Sequence, residues 1–467
     1  VGELSEQGVL QPTRRSFSHT FEVRYQQTAE GLVWLVAEPP TGYVISEDAL
    51  EERFDVLPLY FVNQHSTSSL VPDVRYVPKS IEWRKQRNLL VEWLLQGPAS
   101  WLHGVALRGF PDGTKRRGNV YAERDERVVV SLSSEAEGHA RPTLMFAQLA
   151  WTLRPRMRGR LEVRIDERPI RYDGRLSQAR DEFFSFNAIA ARSAGEAYMV
   201  SSEGQVEAVP SRSGRDRLPA VLDDAEVKGV DSAAATRAGD LAALVRWHRR
   251  KQSLWVGQRA NVKVAYQRVT GLPTTDTMSE PVWAGGSKPR SLLVAADGDL
   301  YGVDLATLQA GKVQLPKGLG PVRSVSVAPD GYRLALVAGG RVHLGALSSR
   351  RKRLQVSASY QVTHALRGVV DVAWSRENHL VVAGVGASGG GLWEVSIDGV
   401  SLHQVETPTG DTPDSVAGYP EVAMEVDRRG KVLIEQGGRV YEIYSSRFGN
   451  PGNAPSPPQG GAPFYSI

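Results

Sequence analysis

One short phrase constrains the fold of this chain more than any other feature. The stretch SVSVAPDGYRLALVAGGRVHLGAL, which begins at Ser324, contains three runs of alternating apolar and polar residues separated by turns. Alternation with a period of two is typical of half-buried β-strands. Asp330-Gly331 and Gly339-Gly340 suit tight hairpin turns, because these residues adopt positive φ at low cost. A lone three-stranded meander buries too little apolar surface to be stable, so the phrase predicts neighbouring copies of itself.

Copies of this meander occur on both sides of it. Related stretches are AYMVSSEGQVEAV, LAALVRWHRRKQSLWVG, SLLVAADGDLYGVDL, VVDVAWSRENHLVVAGVGASGGGLWEVSI and VAMEVDRRGKVLIEQGGRVYEIYS. The residues that mark one turn in each unit are Gly204, Arg250, Gly298, Gly340, Gly391 and Gly438. Their spacing of about 40 to 50 residues is typical of propeller blades. We therefore predict a six-bladed β-propeller over residues 175–467, with a β-sandwich of coincidental turn spacing as the alternative.

The composition fits a globular protein with more than one domain. A chain of 467 residues is too long for one ordinary domain, and a hydrophobic fraction of 41% is sufficient for buried cores. The apolar runs are short and interrupted by charges, which argues against a membrane-spanning helix. Cysteine is absent, which excludes disulfides and thiolate metal sites and favours an exported protein.

Before the repeats, the pattern changes to mixed helix and strand. Ser80 is expected to cap a helix that ends at Gly97-Pro98, and a second helix is expected from Pro142 to the residue before Pro155. The apolar faces of these helices are Leu89, Leu90, Trp93 and Leu94 in the first, and Met145, Leu149 and Leu153 in the second. Strands are expected at LYFV, LVPDVRYV, VALRGF, VVVSL and LEVRI. These elements predict an α/β domain over residues 56–174.

The junction between the two predicted domains is short. It reads RPIRYDGRL from Arg168 and contains no Gly/Ser-rich linker. Short junctions of this kind favour domains that pack at a fixed angle over domains that tumble independently.

These segments resemble a known domain combination. The series LYFV, LVPDVRYVP, LLQGP, GFPDGTK, RVVVSLS, FAQLAWTL and LEVRIDERPI resembles the GerMN domain of spore-germination and cell-envelope proteins. A GerMN domain followed by a propeller is similar to the LpqB family of actinobacterial lipoproteins, and the tail GAPFYSI also resembles that family. The stretch FEVRYQQTAEGLVWLVAEPPTGYVIS resembles the closing hairpin of the family's N-terminal domain. Residues 1–55 are therefore expected to be the end of a truncated, β-rich N-terminal domain.

The resemblance implies a non-catalytic role at the cell surface. LpqB-like proteins are lipid-anchored to the outer face of the cytoplasmic membrane, through an N-terminal anchor that is absent from this chain. The implied role is that of an accessory modulator of a two-component system, with the extracellular domain of the sensor kinase MtrB as the partner.

Two alternatives use the central channel of the predicted propeller, where residues from several blades converge. One is an envelope enzyme, a lyase or glycosidase, and the other is a wall-polymer-binding protein. Clustered carboxylates or histidines in a concave channel mouth would favour the enzyme, whereas a flat rim would favour binding.

Enzyme motifs are weak in this sequence. Residues 386–390 match G-x-S-x-G and residues 384–389 match G-x-G-x-x-G, but both motifs function at a strand-turn-helix junction. Here the loop leads into LWEVSI, which reads as another strand. The nine histidines show neither an i, i+4 pair nor an H-E-x-x-H motif, and the acidic runs 223–224 and 411–414 are expected to be solvated loops. We expect no catalytic residue, no metal and no cofactor.

Basic residues give the candidate binding site. A cluster of arginines follows the second predicted helix: Arg154, Arg156, Arg158, Arg160 and Arg164. With a net charge of only +4, such a cluster is a local patch suited to an acidic protein face, an anionic membrane or a wall polymer. Nucleic acid is a poor candidate, since neither a recognition helix nor an aromatic RNA-binding motif accompanies the arginines.

Overall fold

The N-terminal segment is a pair of small hairpins followed by a short helix. The computed structural model describes residues 2–12, 20, 22–29, 31–37, 45–66, 68–138, 141–190, 195–211, 217–223, 227–260, 263–286, 289–350, 353–420, 430–444 and 447–467. The elements here are β1 (Gly2–Leu4), β2 (Leu10–Pro12), β3 (Val23–Thr28), β4 (Gly31–Val36) and α1 (Glu47–Arg53). Ser46 caps α1, because its Oγ accepts a hydrogen bond from Ala49 N at 3.1 Å.

The α/β domain follows directly. Its elements are β5 (Phe54–Asn63), β6 (Leu70–Pro78), α2 (Trp83–Gln96), β7 (Ala106–Leu107), β8 (Arg116–Ala122), β9 (Val128–Leu132), α3 (Pro142–Leu153), β10 (Leu161–Ile165), β11 (Arg168–Pro169) and β12 (Ser177–Gln178). One sheet has the order β6-β5-β7, and a second has the order β11-β10-β9-β8 with β12 also paired to β10. β9 and β10 are parallel, so a crossover must connect them, and α3 provides it. The predicted boundary at residue 174 lies three residues before β12.

The sequence located most of these elements. α3, β9 and β10 match the predicted segments, and α2 ends at Gln96, with Gly97 as its C-cap residue at a φ of 109°. Ser80 does not cap α2, which is a correction: Ile81 N donates to Pro78 O, so Ser80 lies in a turn, and Glu82 is the N-cap residue. VALRGF forms only the two-residue β7, and β8 was not predicted.

Six sheets follow the α/β domain in the described part of the chain. The first blade contains β13 (Ala197–Val200), β14 (Val206–Ala208) and β35 (Gly461–Tyr465); the second contains β15 (Val230–Ala235), β16 (Leu241–His248), β17 (Lys251–Ala260) and β18 (Lys263–Arg268). The third contains β19 (Val282–Ala284), β20 (Ser291–Ala296), β21 (Asp299–Asp304) and β22 (Gln309–Lys312); the fourth contains β23 (Val322–Val327), β24 (Arg333–Ala338), β25 (Arg341–Arg350) and β26 (Arg353–Gln361). The fifth contains β27 (Arg367–Arg376), β28 (His379–Gly386), β29 (Gly389–Ser396) and β30 (Leu402–Val405); the sixth contains β31 (Ser415–Tyr419), β32 (Lys431–Glu435), β33 (Val440–Tyr444) and β34 (Arg447–Gly449). The predicted six-bladed β-propeller after a separate α/β domain is confirmed.

The C-terminal strand closes the propeller. β35 pairs with β13, so the first blade has the order β14-β13-β35 and combines strands from both ends of the propeller. Phe464 lies opposite Tyr198, with ring centroids 5.4 Å apart. This closure protects the sheet edges that an open ring would expose.

The predicted turn marks fall at equivalent places in the blades. Five of the six lie between the second and third strands of their blade, counted from the axis. Gly298, Gly340 and Gly438 have φ of 80°, 69° and 68°, the left-handed conformation that favours glycine. Gly391 lies inside β29, because the turn of that blade is at residues 387–388. The G-x-S-x-G stretch is therefore part of a β-hairpin, without the helix that either motif requires.

The α/β domain packs against the fourth and fifth blades. The contacts between the domains include the hydrogen bonds Tyr60 Oη to Glu377 Oε2 at 2.8 Å, Tyr76 Oη to Asp398 Oδ2 at 2.7 Å, Asn63 Nδ2 to Asp330 O at 3.3 Å and Ser357 Oγ to His103 O at 3.0 Å. The rings of His65 and Tyr332 lie 4.4 Å apart, and those of Trp101 and Tyr360 lie 5.7 Å apart. Asn187, in the segment between β12 and β13, also donates from Nδ2 to Glu377 Oε1 at 2.7 Å. The domains thus share a polar and aromatic interface in addition to the chain that joins them.

Candidate binding groove beside the second helix

A groove of about 650 Å³ opens where the start of α2 faces the end of β8. We call it the α2–β8 groove. It is lined by Glu82, Trp83, Arg84, Lys85, Arg87 and Asn88 from the helix side, by Asn119, Val120, Tyr121, Ala122, Glu123 and Glu126 from the strand side, and by Arg158. Its volume lies within the range of ligand pockets in proteins.

The amphipathic pattern of α2 determines which residues face the groove. Leu90, Val91 and Leu94 are fully buried in the core of the α/β domain. Asn88 fixes the helix against β8, because Val120 N donates to its Oδ1 at 2.6 Å and its Nδ2 donates to Asn119 Oδ1 at 3.1 Å. These hydrogen bonds join α2 to β8 and hold the two walls of the groove together.

The first turn of α2 concentrates positive charge. It contains no acidic residue, and Glu82 makes no side-chain capping hydrogen bond. Arg84 and Lys85 therefore lie at the end of the helix dipole that is already positive, and Arg87 follows at the start of the second turn. A cation in this position is unfavourable without a nearby anion.

Arg87 is the most constrained of these cations. Its side chain is buried, with only 3% of the residue exposed, and Nε donates to Arg156 O at 2.8 Å. Its Nη1 and Nη2 make no hydrogen bond to any residue that the structure describes. Burial, and secondarily the charge of Arg84, lowers the pKa of Arg87 below its usual value. The groove therefore contains a buried guanidinium with unused donors.

Two half-exposed aromatic rings complete the groove. Trp83 is 42% exposed and Tyr121 is 43% exposed. The guanidinium groups of Arg84 and Arg87 lie 5.4 and 5.0 Å from the centroid of the Trp83 ring. Rings and cations side by side can bind a ligand that has both apolar and anionic parts.

Three of the five arginines predicted as a binding patch form intramolecular ion pairs. Arg154 pairs with Asp181 at 2.7 Å and covers the Trp151 ring, and Arg156 Nη2 contacts Asp55 Oδ2 at 2.6 Å. These two side chains are only 13% and 17% exposed. Arg164 pairs with Glu162 at 2.7 Å and with Glu123 at 3.5 Å.

The other two arginines are exposed. Arg160 Nε donates to Ser177 Oγ at 2.9 Å. Arg158 lines the α2–β8 groove and has no hydrogen bond or ion pair to the described residues. The structure thus places one residue of the predicted patch in the groove.

The cations that α2 contributes to the groove were not predicted from the sequence. The signal was present as WRKQR from Trp83, a basic first turn next to an aromatic residue.

The central channel of the propeller contains a second cluster of ionisable groups. The pKa of Glu280 is raised well above its usual value by burial and by the charges of Asp371, Glu435 and Asp231. These four residues belong to the third, fifth, sixth and second blades. Asp231 and Asp371 lie on β15 and β27, the innermost strands of their blades, and Glu280 lies two residues before β19, the innermost strand of its blade. These positions place the cluster at the channel.

The channel carboxylates differ in their hydrogen bonding. Asp371 accepts from Ser324 Oγ at 2.5 Å, from its own neighbour Val372 N at 2.8 Å and from Val416 N at 2.7 Å. Glu280, by contrast, accepts no side-chain hydrogen bond from the described residues. In the described ranges, no three His, Cys, Asp or Glu side chains are arranged to hold a metal ion.

Comparison with known families assigns the chain. A family model described as the lipoprotein LpqB β-propeller domain matches residues 184–439, more than half of the chain. The chain belongs to the LpqB family. A second family model, named Germane and described by sporulation and spore germination, matches residues 58–170. Both domains of the predicted LpqB-like combination are therefore confirmed.

Curated relatives with the name lipoprotein LpqB cover most of the chain. The protein of Streptomyces avermitilis is 26% identical over 434 residues, which are 85% of this chain and 68% of the relative. The protein of Thermobifida fusca is 26% identical, covering 75% of this chain and 62% of the relative, and that of Cutibacterium acnes is 23% identical, covering 94% and 76%. The chain thus spans about two thirds of the length of these LpqB proteins.

Solved structures resemble this LpqB-family chain more distantly. The β-propeller domain of Cps50 (Swd1) from Myceliophteria thermophila has a TM-score of 0.37 at 14% identity, covering 54% of this chain and 80% of that one. TolB from Acinetobacter baumannii has a TM-score of 0.38 at 13% identity, covering 58% and 66%.

Proposed function

We propose that this chain is a non-catalytic accessory protein of the cell envelope that binds the extracellular domain of an MtrB-type sensor kinase and modulates its two-component system. The observation that carries the proposal is the α2–β8 groove, a concave surface with unused cationic donors and exposed rings. Membership of the LpqB family supports it, because the relatives are described as lipoproteins.

The proposed location is the outer face of the cytoplasmic membrane. The relatives are lipoproteins by name, so we propose that a lipid anchor N-terminal to this chain holds it there. Among the described residues, no helix is both long and apolar enough to span a bilayer. A lipid anchor would leave both domains exposed to other envelope proteins.

The relation between the domains supports a binding role. Tyr60 and Tyr76 connect the α/β domain to two loops of the fifth blade, through hydrogen bonds to Glu377 and Asp398. A groove on a domain fixed in this way is presented at a defined angle to the propeller. Such preorganisation lowers the entropy lost on binding.

The direct test is binding of the full chain to the isolated extracellular domain of the kinase. We expect saturable binding in biolayer interferometry, with an association rate that falls as salt is added, because complementary charges act mainly on association. The extracellular domain of an unrelated sensor kinase is the control. Absence of binding at low salt, or equal binding to the control domain, would refute the proposal.

One observation favours the alternative of an envelope enzyme, namely the carboxylates in the channel. Asp371 and Glu435 already accept hydrogen bonds, Glu435 from Ala462 N at 2.8 Å and from Ser415 Oγ at 3.1 Å. Glu280 is the carboxylate without such partners in the described residues. Hydrolysis of a wall glycan by the purified chain, abolished by Glu280→Gln, would establish the enzyme in place of the accessory protein.

A further inference from the structure

We infer that the α2–β8 groove binds an acidic segment of a protein partner, with a carboxylate against Arg84 and Arg87 and an apolar side chain against Trp83 and Tyr121. This inference rests on the proposed function, which it deepens by naming the chemistry that the groove recognises.

The groove keeps an excess of positive charge. Glu82 lies 3.9 Å from Lys85, and Glu123 pairs with Arg127 and Arg164 outside the groove. Among the described residues, Arg84, Arg87 and Arg158 have no acidic partner, and Glu126 is the one lining carboxylate that is not in an ion pair. The groove therefore keeps a net positive charge that a carboxylate ligand would neutralise.

The groove also offers free hydrogen-bond donors. Nη1 and Nη2 of Arg87 have no hydrogen-bond partner among the described residues, and the backbone N–H groups of Trp83 and Arg84 begin a helix, where no preceding turn can accept their hydrogen bonds. A guanidinium matches the two oxygens of a carboxylate in a planar, bidentate arrangement. Because Arg87 is buried and fixed through Nε, little conformational entropy is lost when it binds.

The aromatic rings of the groove favour a peptide over other anions. Trp83 and Tyr121 lie inside the concave groove, where a ligand with side chains can reach them. Inorganic phosphate has no apolar surface to contact these rings. A flat membrane surface does not enter a concave groove. An acidic segment with leucine or aromatic residues fits both the rings and the cations.

The test uses the full chain and a capped synthetic peptide of alternating glutamate and leucine, with a control peptide in which glutamine replaces glutamate. We expect calorimetry to show binding of the glutamate peptide only. Arg84→Glu combined with Arg158→Glu should weaken it by about tenfold or more, since charge-assisted hydrogen bonds are lost. The matched control, Arg168→Glu combined with Arg171→Glu, changes the same number of exposed arginines outside the groove and should bind like wild type. Equal thermal unfolding midpoints for the two double variants verify that both are folded.

The following outcomes would contradict the inference. Equal binding of the two peptides, or equal weakening in both double variants, would refute a groove specific for carboxylates. Binding of inorganic phosphate or of phosphatidylglycerol vesicles, without binding of the glutamate peptide, would assign the groove to another anion.

The kinase experiment separates this inference from the proposed function. If the kinase domain binds wild type and the groove double variant equally, the inference is wrong and the proposed function stands. If the glutamate peptide binds the groove but the kinase domain does not bind the chain, the proposed partner is wrong and the inference stands.

Discussion

Tyr60 of the α/β domain donates a hydrogen bond from its phenol to Glu377 Oε2 of the propeller, at 2.8 Å. Burial raises the pKa of Glu377, and the hydrogen bond from Tyr60, the charge of Arg333 and the hydrogen bond from Asn187 oppose that rise. The carboxylate of Glu377 thus depends on groups from more than one part of the chain. Substitution of one of these side chains should therefore change the stability of the domain interface.

Tyr60→Phe should destabilise the protein. The substitution removes one hydrogen bond from Glu377 and leaves the aromatic packing nearly unchanged. Removing one partner of a buried polar group costs about 1–3 kcal/mol, so the thermal unfolding midpoint should fall. Tyr121→Phe is the matched control, because Tyr121 is exposed on the groove wall and its hydroxyl only accepts from Arg164. Equal midpoints for wild type and Tyr60→Phe would show that this contact does not stabilise the interface.

Tyr60→Phe combined with Tyr76→Phe should loosen the relative orientation of the two domains. Tyr76 donates to Asp398 Oδ2 at 2.7 Å, so the double variant lacks both tyrosine hydrogen bonds across the interface. Small-angle scattering of wild type should fit a single arrangement, because the domains contact each other directly. The double variant should need a broader distribution of interdomain distances. A broad distribution for wild type would contradict a fixed angle.

Arg156→Glu and Arg158→Glu should affect stability differently, although the two residues are near neighbours in one predicted patch. Arg156 contacts Asp55 and donates from Nε to Gln86 Oε1 at 2.7 Å, so glutamate there would place two carboxylates together. Arg156 therefore has a structural contact in addition to its predicted place in the patch. Arg158 is exposed, and such substitutions usually change stability by about 0.5 kcal/mol or less. Urea denaturation should show a clearly lower midpoint for Arg156→Glu only; equal midpoints would contradict the ion pair.

The elements that could be predicted from the sequence are those whose own residues show a clear apolar pattern. α3, β9 and β10 carry continuous apolar runs, because both parallel strands and the helix between them are buried. β8 was missed because RRGNVYA is polar, and it is a strand only through its pairing with β9 and its contact with α2. The hairpin turns of the blades could be predicted because glycine recurs in the sequence at turn positions, and most of these glycines have a positive φ.

The sites were less predictable because their residues are distant in the chain. No spacing rule shows that Arg156 is neutralised by Asp55 while Arg158 remains exposed. The channel carboxylates belong to four different blades, and only the closed ring brings them together.

Glu280→Gln should stabilise the protein at high pH. The folded-state pKa of Glu280 is raised, so between the unfolded value of about 4.3 and the folded value the native state binds more protons. The stability of wild type therefore falls as pH rises through this window, by about 1.4 kcal/mol for each pH unit. Glutamine has no charge to bury. The unfolding midpoint of Glu280→Gln should exceed that of wild type at about pH 8, and the difference should shrink toward pH 4. A difference independent of pH would contradict a buried charge.

Asp371→Asn should have the opposite effect, although burial also raises the pKa of Asp371. Both oxygens of Asp371 accept hydrogen bonds, from Ser324 Oγ and Val372 N on one side and from Val416 N on the other. In either orientation, the asparagine amide places its NH₂ group against a backbone N–H. An unsatisfied buried donor costs about 1–3 kcal/mol, so the unfolding midpoint at neutral pH should fall. Ser324→Ala should cost less, because Asp371 keeps its two backbone donors. A higher midpoint for both Glu280→Gln and Asp371→Asn would mean that charge repulsion in the channel outweighs these hydrogen bonds.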